Sequence, residues 1–246
     1  YLINGLLELC MSQRAHHRPK MGGIYLRKPE YLSMSHPASP RTQIRRSPQN
    51  ADYQRDTLYA IIDDAYLCHI AFHDESGTHC LPMACWRTGG HLYIHGSNGS
   101  RLMKKLAGGL EVSIAISHLD GLVLARSAFN HSMNYRSAII YGKFEKITDE
   151  ADKSAALDAF MDKIAVGRKD QVRNGSKQEF GATIVLRISL FEAAAKVRSG
   201  PPVDDEKDMQ IQAWTGVLPI VTQRIAAIAE EGNLQAEPEY VSKWVK

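Results

Sequence analysis

The sequence predicts an all-β core with peripheral helices, arranged as an antiparallel barrel. Short strand-like runs dominate the chain, and the first of them are separated by Asp74-Glu-Ser-Gly77 and Arg87-Thr-Gly-Gly90, which are hairpin-turn compositions. The helical patterns are isolated insertions between strands, with few βαβ units, which favours a closed antiparallel sheet over a doubly wound one.

The elements follow in chain order. Residues 35–50 are rich in Pro, Ser and Arg and read as an extended lead-in. Asp56 is positioned to cap a short helix whose Leu58, Ile61, Ile62 and Ala65 share one face. Strands are expected at 66–73, 79–86 and 91–96. Asn98-Gly-Ser-Arg101 then opens a short helix, Leu102–Ala107, which Gly108 and Gly109 stop. Alternating Val112, Ile114 and Ile116 mark a further strand, Asp120-Gly121 breaks the run, and Ser137–Ile147 reads as a long second strand. Thr148-Asp-Glu150 introduces a helix over Ala151–Val166, with an apolar stripe of Ala155, Leu157, Phe160, Met161 and Ile164. Ala182–Leu190 reads as the final core strand, and an apolar segment returns at Trp214–Val221.

At 246 residues and 44% hydrophobic content the chain can bury one substantial core. This organisation gives an extended or partly disordered arm (1–50), one domain (51–222) and a C-terminal tail (223–246). Met34-Ser-His-Pro37 resembles an ordinary start, which leaves residues 1–33 as an upstream extension, a remnant or a native arm. The apolar Tyr1–Cys10 has no basic flank before it and is not read as a signal peptide.

The net charge is +3, and residues 1–56 carry nine Lys/Arg against four Asp/Glu, which leaves the remainder at −2. The body is therefore not a basic surface suited to nucleic acid. No apolar run approaches membrane-crossing length. Cys10, Cys68, Cys80 and Cys85 lack zinc-ribbon or CxxC spacing and read as free thiols of a reducing cytoplasm. His69, His73, His79, His91 and His95 fall on different strands without ligand spacing, so no metal site is expected.

Three segments could carry chemistry. In the first, His91–Lys105, a strand runs into a Gly/Ser loop and a helix start, so free backbone N–H groups with Ser97, Ser100, Arg101 and Lys104 or Lys105 could hold a phosphate. An Asn-Gly turn with solvated basic residues would look the same. The second, Asp120–Ser137, reads as a polar loop dense in Arg126, Asn130, His131, Asn134, Tyr135 and Arg136, side chains able to bond the edge of a planar heterocycle. The third is Lys196–Asp205 followed by Trp214, a large apolar surface that is either packed in a core or dimer contact or stacked on a cofactor.

Taken together these segments resemble the pyridoxamine 5′-phosphate oxidase-related superfamily, and within it the flavin-nucleotide-binding branch related to nitroimidazole-resistance proteins. The resemblance covers roughly residues 41–222. It rests on Arg45-Arg-Ser-Pro48, Tyr53-Gln-Arg-Asp56, Leu92-Tyr-Ile-His-Gly-Ser97, the run from Leu122 to Ser137, and Lys196–Asp205. It implies a six-stranded antiparallel split β-barrel that forms a homodimer with flavin mononucleotide (FMN) in clefts between the subunits. It places Ser100, Arg101 and Lys104 or Lys105 on the phosphate, and His95 on a strand facing the cofactor. Ser132, Asn134, Tyr135 and Arg136 then approach the cofactor cleft, and Trp214 closes the site. No clear counterpart of the substrate-phosphate residues of true pyridoxamine-phosphate oxidases is found at the C-terminus.

The implied function is an FMN-dependent oxidoreductase of the cytoplasm, with NAD(P)H as a possible donor and a small electrophile such as a nitro-aromatic as acceptor. In this reading His95 is the proton donor, and Arg126 or Arg136 offsets charge on the ring. Two alternatives stand beside it: a flavin store or redox sensor without turnover, and a split barrel holding haem or deazaflavin.

Overall fold

The computed structural model describes residues 36–245. The expectations for Tyr1–Cys10, the Met34 start and the greater part of the arm fall outside them. Strand β1 (Ala51–Asp52) leads into helix α1 (Arg55–Asp64), then β2 (Leu67–Asp74), β3 (Gly77–Ala84), β4 (Trp86–Thr88) and β5 (His91–Ser97). Helix α2 (Arg101–Ala107) precedes the long strands β6 (Glu111–Leu124) and β7 (Ser132–Lys143) and the short β8 (Glu145–Lys146). Helices α3 (Glu150–Ile164) and α4 (Lys177–Ala182) come next, then β9 (Thr183–Ser189), β10 (Ala193–Arg198), β11 (Gly216–Pro219) and a terminal turn of helix, α5 (Glu239–Ser242).

The strands form two antiparallel sheets. One is ordered β1-β10-β7-β6-β2-β3, with β11 added on β6, and the other is β4-β5-β9-β8. Six strands turn side chains into a single core: Ile70 of β2, Ile94 of β5, Ile114 of β6, Ile140 of β7, Leu186 of β9 and Ala195 of β10 are all fully buried there. Two sheets that share one core without a continuous hydrogen-bonded wall make a split barrel. Helix α1 contributes Leu58, Ile61 and Ile62 to the same core. Its N-cap is Gln54, and Asp56 lies within the first turn instead of capping it; Asp52 accepts from the Gln54 N–H (2.8 Å) and the Thr57 hydroxyl (2.7 Å).

Long β6 organises the large sheet. Its first half pairs with β2 (His69 opposite Ala115, Phe72 opposite Val112), its last residues pair with β11, and its other edge pairs with β7 along nearly its whole length. Asp120-Gly121 does not break this strand but forms a bulge, where the register shifts between Leu119 and Gly121. Gly121 suits the close approach there, because a Cβ would meet the Leu218 carbonyl oxygen and Val217 Cγ1 at 3.0 Å. Strand β7 starts at Ser132, five residues before the predicted Ser137, so the expected polar loop is mostly strand.

Leu190 does not end the core, because β10 lies between β1 and β7 with Ala193, Ala194 and Ala195 buried. An alanine run has weak strand preference and no alternation, so tertiary packing alone makes it a strand. Helix α3 is capped by Asp149, which accepts from the Asp152 N–H at 2.9 Å. It covers the outer face of the small sheet, where Trp86, Tyr93, Val185 and Ile147 meet its Ala156, Leu157 and Phe160. Ala155 and Ile164 of the predicted stripe are exposed. No helix among the described residues is long and apolar enough to cross a membrane.

Truncating a fully buried branched side chain removes contacts that the neighbours cannot fully restore. Ile94→Ala should therefore lower the unfolding free energy by about 2–5 kcal/mol, measured as a lower urea midpoint at unchanged m-value.

Candidate functional site

Helix α2 sets the first polar corner. Ser100 is its N-cap, accepting from the Met103 N–H at 3.4 Å, and Ser97 accepts from the Gly99 N–H at 3.1 Å. Gly96 allows α2 to fold back on β5, since a Cβ there would meet Met103 Cγ at 2.8 Å. The helix thus presents Arg101, Lys104 and Lys105 next to the β2–β3 turn.

That turn supplies a carboxylate partner. Asp74, with only 4% of its side chain exposed, accepts from Lys105 Nζ (2.7 Å), Arg101 Nη2 (3.2 Å) and the Ser76 N–H (2.8 Å), and lies 3.0 Å from His79 Nε2. Arg101 also donates to Ser76 Oγ (2.8 Å), and Lys105 to Glu75 (2.6 Å). The Lys105 ammonium, with His79 and the Ser76 N–H, holds the Asp74 carboxyl well below the usual carboxylate range. Lys104 has no carboxylate partner among the described residues. Three cations against two carboxylates leave this corner positive, and Glu75, 77% exposed, is free to swing away from an incoming anion. The donors of this corner could hold a phosphate group.

His95 lies two residues before this corner, on the face of β5 covered by α3. Its ring is 4.5 Å from Phe160 and 5.7 Å from Trp86, centroid to centroid, and its buried Nδ1 has no hydrogen-bond partner among the described residues. Burial lowers its pKa, so at neutral pH the ring is held in its neutral form.

The second set of predicted residues gathers at the far end of the large sheet. Arg126 is clasped by Asp204, whose oxygens accept from the Arg126 backbone N–H (2.8 Å) and Nη1 (3.0 Å). Asn134 is buried, donating to the Gly200 carbonyl (3.1 Å) and accepting from Arg198. Arg136 bonds both oxygens of Asp120 (3.0 and 3.1 Å) and reaches Asp64 (2.6 Å). Ser132 and Tyr135 lie on the same strand, half-buried. Trp214 is 67% exposed and leans on Gly216, where a Cβ would meet its ring at 2.7 Å.

These two sets do not meet within one chain. Phe72, two residues from Asp74, pairs with Val112, whereas Asn134 pairs with Gly121. Nine residues of β6 separate those positions, about 30 Å at the usual strand rise. In the sequence Asp74 and Glu75 read only as turn residues, and nothing local marks Asp204 and Arg198 as partners. The composition Asp-Glu-Ser-Gly signals a turn but not which helix the turn faces.

The fold and these sites define a split-barrel protein with a basic corner at one end of its sheet and an arginine-rich hairpin end at the other. Residues 54–197 match the family model of pyridoxamine 5′-phosphate oxidase, and the chain belongs to that family. A flavocytochrome from Azotobacter vinelandii is 37% identical, with a TM-score of 0.81 over 85% of this chain and 98% of that one. An FAD- and haem-binding protein from Mycobacterium smegmatis is 31% identical, with a TM-score of 0.76 over 80% and 97%. A candidate 5-nitroimidazole antibiotic resistance protein from Bacteroides thetaiotaomicron is 25% identical, with a TM-score of 0.50 over 60% and 86%. No curated protein sequence matches the chain significantly.

The sign of the Asp74 effect gives a test. A carboxyl whose pKa is lowered by folding stabilises the fold above the ordinary carboxylate range, near about 3.9, and loses that contribution as pH falls through and below it. Asp74→Asn should be less stable than the parent at neutral pH, with a flatter loss of stability on acidification. Urea midpoints measured from about pH 7 to about pH 3 check this; parallel profiles would remove Asp74 from the acid response.

Proposed function

We propose that the protein is a flavin-binding redox protein whose cofactor lies between two copies of the chain. The observation that carries this reading is the similarity, over 80% or more of the chain, to a flavocytochrome and to an FAD- and haem-binding protein. In the proposed site the flavin phosphate rests on Ser97, Ser100, Arg101, Lys104 and Lys105 of one copy. The ring lies beside Arg126, Ser132, Asn134, Tyr135, Arg136 and Trp214 of the other.

Two observations favour a composite site. The two residue sets are about 30 Å apart along β6, further than one flavin mononucleotide spans. The hairpin end also exposes large apolar side chains, with Phe129 at 94%, Met133 at 53% and Trp214 at 67%. Exposed apolar surface of this kind is typical of a surface that a partner covers.

When bound, the flavin supplies the electron transfer. The chain's own residues bind and orient it. Asp74 holds Arg101 and Lys105 in place, and Arg126 and Arg136, whose charge the paired carboxylates offset, present oriented N–H donors at the ring end. His95, held neutral by burial beside Phe160 and Trp86, is the proposed proton donor as pH falls. NAD(P)H is the proposed donor and a small electrophile, nitro-aromatics included, the proposed acceptor. FMN accounts for the single phosphate corner, and FAD, the ligand of the Mycobacterium smegmatis protein, is the alternative. A second reading, favoured by the same two structures, adds a haem beside the flavin.

Purified protein should take up FMN stoichiometrically, with the yellow colour eluting with a dimer on gel filtration. Arg101→Ala should weaken FMN binding by about tenfold or more, the loss of a charge-assisted hydrogen bond, and leave riboflavin binding unchanged. Equal affinity of the parent protein for FMN and riboflavin would sink the phosphate assignment. An intense haem band in the absorption spectrum establishes the second reading, and flavin binding without NAD(P)H consumption makes the protein a store or sensor.

A further inference from the structure

A cavity of about 790 Å³ lies between the end of α3, Tyr66 and the C-terminal segment that carries Arg224 and α5. It falls within the range of small-molecule sites. Tyr66, Tyr240 and Trp244 give it aromatic walls, and Lys163, Arg224 and Lys243 give it positive charge.

These cations differ in how they are compensated. Lys243 pairs with Glu239, and the lining Asp162 faces Lys169 at 3.6 Å. Lys163 and Arg224 have no carboxylate partner among the described residues. Lys163 donates to the Asp63 carbonyl and lies 4.7 Å from the centroid of the Tyr66 ring. Arg224 donates to the Tyr66 hydroxyl at 3.1 Å and lies 4.5 Å from the Trp244 ring. Aromatic faces and neutral oxygens hold both heads in place without cancelling their charge. Half-burial lowers the Lys163 pKa, Asp63, Cys85 and Asp64 oppose this, and Arg224 adds a further lowering.

We propose that this cavity binds a planar aromatic anion, its carboxylate or phosphate on Lys163 and Arg224 and its ring against Tyr66 and Trp244. The site is separate from the phosphate corner, because Tyr66 precedes β2 and Asp74 ends it, eight residues or about 26 Å away. It is close to the ring-side set: Asp63 and Asp64 are consecutive, and while the Asp63 carbonyl accepts from Lys163, the Asp64 carboxylate accepts from Arg136 at 2.6 Å. The cavity lining itself includes none of the residues assigned to the flavin.

Calorimetric titration of the full chain with 4-nitrobenzoate tests the site without reference to any flavin. Saturable one-to-one binding is expected, weakened at least tenfold in Arg224→Ala and in Lys163→Met, with nitrobenzene, which lacks the carboxylate, also at least tenfold weaker. Absence of saturable binding, equal affinity for parent and Arg224→Ala, or equal affinity for nitrobenzene would overturn the proposal. Arg224 is exposed and outside every helix and strand, so Arg224→Ala decides the matter alone if Lys163→Met fails to fold, as circular dichroism would show.

Discussion

The length of β6 governs the rest of the molecule. A strand of fourteen residues is more than one neighbour can cover on its free edge, so β2 takes the first half and β11 the end, while β7 runs along the other side. The bulge at Asp120-Gly121 lets the hairpin keep hydrogen-bonding past the point where β11 comes closest. It also places the Asp120 carboxylate against Arg136. The same strand separates the two polar sets. α2 and the β2–β3 turn are tied to its start, and Arg126, Asn134 and Trp214 to its end.

Electrostatics then acts locally at each end. Nearly every cation in the two sets is already held by a carboxylate: Arg101 and Lys105 by Asp74, Arg126 by Asp204, Arg136 by Asp120 and Asp64. Such pairs reduce the net charge that a ligand meets, but they fix the direction of the remaining N–H donors, and prior ordering reduces what binding must later supply. Asp74 shows the balance most clearly. Its buried carboxylate orients two cations, whereas its exposed neighbour Glu75 can leave Lys105 when an anion arrives.

Much of the fold is legible in the sequence, and the parts that are not share a cause. The meander from Leu67 to Ser97 reads clearly because its strands are apolar and its turns carry Gly; the α2 and α3 caps read because Ser100 and Asp149 act within three residues of themselves. What fails depends on partners distant in sequence. β10 is an alanine run that becomes a strand only between β1 and β7, and Ser132–Arg136 look like loop because their polar side chains pair with Asp120, Gly200 and Arg198 across the sheet. The polar residue types of the site were visible, but that β6 puts them at opposite ends was not, since strand length and register are set jointly by β2, β7 and β11.

This separation bears on how the two-copy reading should be understood. A ligand pocket built within one chain would bring polar motifs together, yet here the β6 geometry holds them apart while leaving Phe129, Met133 and Trp214 exposed at one of the two ends. If one ligand touches both sets, association and ligand binding become linked: whatever binds only the assembled form stabilises it by mass action, and loosening the assembly lowers the apparent affinity. The fold then does more than carry the site. On the proposed reading, a separation of nine residues along its longest strand makes pairing of two chains a condition for a shared flavin site.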